Sequence, residues 1–123
     1  MKTIAVLGAS ANRRKFGNKC VRAYLHAGWQ VFPVNPHESE VEGLPTFPTL
    51  DAVPGEVERI SVYLPPQLTW ELLPDLARKG AREVWFNPGA ADARVLDEAR
   101  RRGIPYRTAC SIVDIGVSPA QFP

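Results

Sequence analysis

Residues 4–20 read IAVLGASANRRKFGNKC. Ile4 to Leu7 form a short apolar run, the length of a buried strand rather than of a helix, and Gly8 closes it. A glycine there lets the chain turn with no side chain standing above the turn. Beyond Gly17, the residues Cys20, Val21, Tyr24, Leu25 and Ala27 fall on one face of a helix. Strand, glycine, loop and helix are the start of a βα unit. The loop asks for more than a turn does. Arg13, Arg14 and Lys15 are adjacent cations, which repel one another unless something negative sits among them.

The rest of the chain repeats the unit. The segments Leu25–Gly28, Leu76–Gly80 and Ala99–Gly103 each end a stretch of helical apolar spacing, and each glycine suits the left-handed position past a helix end. Short apolar segments follow at Trp29–Val34, Glu83–Phe86 and Ile104–Arg107. Helix, glycine and strand in succession predict an α/β fold with a mostly parallel five-stranded sheet. Strands are expected at 3–7, 30–34, 59–64, 83–86 and about 105–108, and helices at 17–27, 69–79 and 92–102. A short edge strand near Thr46-Phe47, beside Pro45 and Pro48, precedes a brief turn of helix. Asp92 is placed to cap the third helix, with Val95, Leu96 and Ala99 facing the sheet. In the second helix Leu68, Leu72, Leu73 and Leu76 have core spacing, and Pro74 is expected in the first turn, where a missing N–H is tolerated. The first strand should be central, in sheet order 3-2-1-4-5, within one domain over 1–123.

Composition sets limits on function. With 45% apolar and 23% charged residues the chain is an ordinary globular one, and no apolar run nears the roughly 18 residues of a membrane span. MKTIAVLGAS does not read as a signal peptide, so no membrane role and a cytoplasmic location are expected. Cys20 and Cys110 are far apart without metal spacing and read as reduced thiols, Cys20 on the buried helix face. Before Glu38 there are six cations and no carboxylate; after residue 37, nine cations face thirteen carboxylates. That asymmetry points to a focused anion site rather than a nucleic-acid surface. Trp29, Trp70 and Trp85 are not interleaved with the cations as a base-stacking platform requires, so no nucleic acid is expected. His26 and His37 lack metal-ligand partners, and Ser10 and Ser111 lack a nucleophile elbow, so neither a metal nor a catalytic residue is assigned.

In a parallel sheet the ligand crevice lies outside the strand carboxyl ends, where strand order reverses. The segments there are 8–17, 35–38, 65–67 and 87–91: GASANRRKFG, NPHE, PPQ and NPGAA. Backbone N–H groups after Gly8 and the helix start near Gly17 favour an anion, Ser10 adds a hydroxyl, and Arg13, Arg14 and Lys15 add charge. The chemistry suits a diphosphate. GxGxxG would need glycines at 8, 10 and 13, where Ser10 and Arg13 stand instead, and no GK[ST] follows. The second strand ends in Asn35-Pro36, not in the carboxylate that holds a nicotinamide dinucleotide's ribose.

The run VLGAS…KFGNK, then VFPVNP, EVEGLPTFPTL, ISVYLPP, GAREVWFNPGA and GIPYRTACSIV, resembles the small stand-alone CoA-binding proteins over residues 3 to 113. These are related to the N-terminal domain of the succinyl-CoA synthetase α subunit. The resemblance implies a Rossmann-like three-layer sandwich that binds coenzyme A or an acyl-CoA, with no established catalysis. It implies the diphosphate at Gly8, Ala9, Ser10, Lys15, Gly17 and Asn18, and the adenosine by Val34, Asn35, Pro36 and His37. The pantetheine arm would pass Leu64, Pro65 and Pro66 towards Asn87, Pro88 and Gly89. His37 stands where relatives often have Lys, and Tyr63 where many have Arg. The rival reading is an NAD(P)-binding enzyme or redox sensor in the same crevice; a third is a subunit or interaction module completed by a partner chain. A homodimer or an unidentified protein partner is compatible with either. Cys110 is read either as a core thiol or as a thiol near the CoA sulfur, and the first is preferred.

Overall fold

A computed structural model describes residues 2–123. In chain order the elements are β1 (Thr3–Leu7), α1 (Phe16–His26), β2 (Gln30–Val34), a two-residue-turn hairpin of β3 (Glu40–Val41) and β4 (Leu44–Pro45), and β5 (Arg59–Val62). Then come α2 (Pro66–Lys79), β6 (Glu83–Phe86), α3 (Ala93–Arg101), β7 (Tyr106–Arg107) and the single turn α4 (Ser111–Asp114). The main sheet is parallel throughout, in the order β2-β1-β5-β6-β7. Phe47 adds a parallel bridge to Val34 on the outer side of β2. With that edge segment counted as the third strand, the expected order 3-2-1-4-5 is observed, continued by β7.

Two apolar layers sandwich the sheet. On one face α2, α3 and the turn at Leu50–Ala52 bury Leu50, Leu73, Leu76, Val95 and Ala99 against Ala5, Leu7, Ile60 and Val84. On the other, α1 and α4 bury Cys20, Val21, Tyr24 and Ile112 against Ile4, Val6 and Val31. Strand residues alternate between the two layers because their side chains do. Ile4 to Leu7 are buried on both faces, which is why that run is continuously apolar.

Several expectations change in detail. Pro74 is not in the first turn of its helix: α2 begins at Pro66, whose absent N–H costs nothing there, and Pro74 lies inside. It forfeits one backbone hydrogen bond on an exposed side of the helix. Leu25 and Ala27 are exposed, so the buried face of α1 is narrower than its spacing suggests. Leu68 turns towards a cavity rather than the core, and Leu72 lines that cavity while packing on the core's edge, where Leu73 and Leu76 are buried. Strand β5 stops at Val62, leaving Tyr63 and Leu64 to turn over the sheet end. The hairpin β3–β4 has no counterpart in the sequence reading. Asp92 caps α3 as expected, its Oδ1 accepting from the Val95 N–H at 3.0 Å.

Candidate functional site

The loop after β1 is shaped by two glycines. Gly8 has φ +84°, and a Cβ there would meet the Tyr63 carbonyl oxygen at 2.3 Å. A Cβ on Gly17 would stand 2.2 Å from the Gly8 carbonyl oxygen. The start of α1 is therefore packed directly on the backbone that leaves β1, and no other residue type permits that approach. The first N–H groups of α1 have no acceptor within the helix, and they point the positive end of its dipole at the loop.

Around this seam the loop holds itself. Ser10 Oγ accepts from the Asn12 N–H at 3.0 Å, leaving its own proton to donate. Asn12 Oδ1 accepts from the Arg14 N–H at 3.0 Å. Asn18 is buried, donating to the Ser10 carbonyl at 2.8 Å and to Glu42 at 3.1 Å while accepting from Arg22 at 2.7 Å. Arg22 also donates to the Arg13 carbonyl at 2.9 Å. Two carboxylates come in from the segment after β2: the Ala11 N–H donates to Glu38, and Glu42 lies 3.4 Å from Arg13. Asn35 clamps the other side, donating to the Ala9 carbonyl at 2.8 Å.

Two adjoining cavities open at the strand carboxyl ends. The first, a cleft of ≈ 450 Å³, brings together Gly8, Ser10, Lys15, Gly17, Asn35, Leu64, Pro65, Pro88 and Gly89 from the expected set. The second, ≈ 470 Å³, lies beyond β2 and collects Gly8, Val34, Asn35, Pro36, His37 and Leu64. Gly8, Asn35 and Leu64 line both and form the divide between them. Ala9 is wholly buried in the α1 layer, so only its backbone faces the loop. Arg13, Arg14, Asn18, Pro66 and Asn87 line neither cavity.

Phe16 and Ala90 of the first cleft fall in the segments expected at the crevice but not among the expected contacts, and Tyr63 is marked in the sequence only as a departure from relatives; Pro48, Leu68, Glu71, Leu72 and Asp75 of the second cavity are not expected there. The α2 residues were legible in principle: positions 68, 71, 72 and 75 form one helical stripe. Phe16 and Leu68 are conspicuous as exposed large apolar side chains, at 54% and 45%.

Behind the Tyr63 wall lies a buried polar cluster. Asn87 donates to Ser61 Oγ at 2.8 Å and to the Val62 carbonyl at 3.0 Å, and its Oδ1 accepts from the Ser111 N–H at 2.9 Å. Ser61 and Ser111 hydroxyls are 2.7 Å apart, and the Tyr63 hydroxyl reaches Ser111 at 3.3 Å. Cys20 Sγ joins at 3.7 Å from Ser61. Burial pushes the Cys20 thiol up to about 11 and raises Tyr63 well above the usual phenol range. Both stay protonated, so neither is an activated nucleophile or base. Cys110 is half-buried against the α1 layer and lines neither cavity. Among the described residues no group of three His, Cys, Asp or Glu could hold a metal ion, and no helix is long and apolar enough to cross a membrane.

Known proteins share this fold and parts of this sequence. The family model described as "CoA binding domain" matches residues 2–116. The α subunit of an ADP-forming acetate–CoA ligase II from Pyrococcus furiosus is 32% identical over 82 residues, covering 66% of this chain and 18% of that one. An ADP-forming acetate–CoA ligase I from Archaeoglobus fulgidus is 25% identical over 113 residues, covering 84% and 16%. The chain thus spans about a sixth of the length of these curated relatives. Among solved structures, a conserved hypothetical protein from Pyrococcus furiosus superposes with TM-score 0.85 at 30% identity, covering 93% of this chain and 99% of that one. A dinucleotide-forming acetyl-coenzyme A synthetase from Ca. Korarchaeum cryptofilum, in complex with phosphate and ADP, gives TM-score 0.76 at 25% identity over 88% of this chain and 25% of its own.

Proposed function

The chain belongs to the CoA-binding domain family, and from that premise we propose that its strand-end crevice holds coenzyme A or an acyl-CoA without turning it over. The observation that carries the reading is the seating of Gly17 on Gly8, which brings the N-terminus of α1, Ser10 and Lys15 to one open cleft. That cleft suits the diphosphate: helix-end N–H groups, a hydroxyl proton and an ammonium are the donors a diphosphate needs. The adenosine then fits the cavity beyond Val34, Asn35 and Pro36, against the apolar walls of Leu50, Leu68 and Leu72. The pantetheine arm runs the other way, past Leu64 and Pro65 towards Pro88 and Gly89. Binding without turnover is supported by the chemistry of the lining. In the first cleft, where the diphosphate and the arm are placed, the side chains offer one hydroxyl, one ammonium, one amide and a protonated phenol, with no base set against a nucleophile.

The relatives that carry this domain inside acetate–CoA ligases favour a ligand from acyl-CoA chemistry, and a larger enzyme is where a partner would be sought. Competition against one labelled ligand at fixed salt tests the reading. CoA is expected to bind at least about tenfold more tightly than NAD or NADP, roughly 1.4 kcal/mol. Displacement of CoA by NAD or NADP at equal or lower concentration would replace it with a redox reading. Mass analysis of ligand retained through native purification would identify any acyl group.

A further inference from the structure

We propose that the adenosine end of this site takes an unphosphorylated ribose, so that dephospho-CoA binds at least as tightly as CoA; the inference rests on the CoA-type reading above and sharpens its ligand class. The ≈ 470 Å³ cavity beyond β2 has Glu71 and Asp75 on its lining, one helical turn apart on α2, together with His37 from the segment after β2. No lysine or arginine is among the residues that line it. Arg78, on the same stripe of α2, is already engaged, its Nη2 lying 2.5 Å from Asp75 and 2.8 Å from Asp51. Glu38, next to His37, turns its carboxylate to the Ala11 N–H at the edge of the first loop. The positive side chain on the crevice is Lys15, and it lines the other cavity.

A 3′-phosphate carried into this cavity meets the Glu71 carboxylate and one imidazole, with no guanidinium or ammonium on the lining to hold it, the nearby Arg78 being committed to Asp75 and Asp51. A ribose diol fits the same groups better, because hydroxyls donate and a carboxylate such as Glu71 only accepts. The charge balance of the first 37 residues favours the more negative ligand; the charges local to this cavity reverse that order at the ribose. The pantetheine arm is common to CoA and dephospho-CoA, so their comparison isolates the phosphate.

Competition of CoA and dephospho-CoA against one labelled ligand at fixed low salt gives the test. The dissociation constant of dephospho-CoA is expected to equal that of CoA or to lie up to about threefold below it, the scale of exposed charge interactions. Glu71→Gln should strengthen CoA relative to dephospho-CoA, and His37→Lys should do so more strongly, each variant being checked for folding by circular dichroism. CoA binding tighter than dephospho-CoA beyond the error of the titration overturns the inference while leaving CoA binding itself in place. A ratio unmoved by both substitutions also overturns it. Failure of both ligands to bind the natural chain ends the underlying reading instead.

Discussion

The loop after β1 and the loop after β6 face each other across one cleft, and they are held by different means. The first is held by backbone on backbone: Gly17 on Gly8, and Gly8 on Tyr63. The second is held by a side chain, with Asn87 tying β5, β6 and the start of α4 into one buried polar cluster. The difference bears on which wall would meet the diphosphate of the proposed ligand. Backbone contact keeps side chains out of the seam between Gly8 and Gly17, where α1 starts, whereas the amide bracket uses up its own donors and acceptors.

The largest expected effect breaks the first wall. Gly17→Ala places a methyl group 2.2 Å from a carbonyl oxygen, so α1 must move off β1. We expect a loss of about 3 kcal/mol or more in urea unfolding, the scale of overpacking and backbone strain together. A loss below about 1 kcal/mol would show that the seam is loose and sink the account of the loop.

Asn87→Ala breaks the second wall. It strips partners from the Ser61 hydroxyl and the Ser111 N–H, both in a buried setting. The expected cost is about 2 kcal/mol. Because Ser61 shares the network, Ser61→Ala combined with Asn87→Ala should cost less than the two singly. Simple additivity would mean that the cluster is not one unit.

The same cluster has a pH signature. The Cys20 thiol is pushed up to about 11 by burial, against an ordinary value of 9.0. The unfolded chain loses that proton first, so the native state binds more protons between the two values. Stability is fully present below about pH 9 and falls as pH rises towards 11. Cys20→Ala should flatten that slope, removing a loss of about 3 kcal/mol at most. Tyr24, raised to about 12, and Tyr63, raised further, add declines at higher pH that the substitution reduces only in part, since desolvation is the largest cause of both shifts and the Cys20 thiolate a lesser one. Identical slopes in the two proteins would show that the thiol titrates freely.

The contrast between the walls also marks what the sequence disclosed. Glycine at strand and helix ends carries a conformational demand that few other residues meet, so Gly8, Gly28, Gly80 and Gly103 announced the βα rhythm, and all four have positive φ. Continuous apolar runs announced buried parallel strands. Side-chain brackets gave no such signal. Asn87 in NPGAA reads equally well as a ligand contact or as a tether, because its partners Ser61 and Ser111 are distant in sequence. The docking of Glu38 and Glu42 on the first loop was hidden for the same reason, and it depends on a hairpin with Glu42 at φ 49° that no pattern marked. Pro74 was misplaced because a proline was assumed to mark a helix start, and Pro66 already did so.

The smallest expected effect separates the cations that the sequence presents as one cluster. Lys15 lines the cleft, whereas Arg13 is bound to Glu42 at 3.4 Å and Arg14 lines neither cavity. An exposed charge facing a phosphate contributes on the order of 1 kcal/mol, and less when salt screens it. Lys15→Ala should therefore weaken CoA binding by about fivefold and reduce its dependence on salt, without moving the unfolding midpoint. Arg13→Ala should change affinity by no more than about twofold, since its guanidinium already has a carboxylate partner. Calorimetric titrations of the two variants at low and moderate salt measure both quantities. Equal losses would mean that Glu42 releases Arg13 when ligand arrives, so the loop rearranges around the diphosphate. No loss even in the triple alanine variant at 13, 14 and 15 would make the cluster ordinary surface and leave the helix end as the sole anion contact.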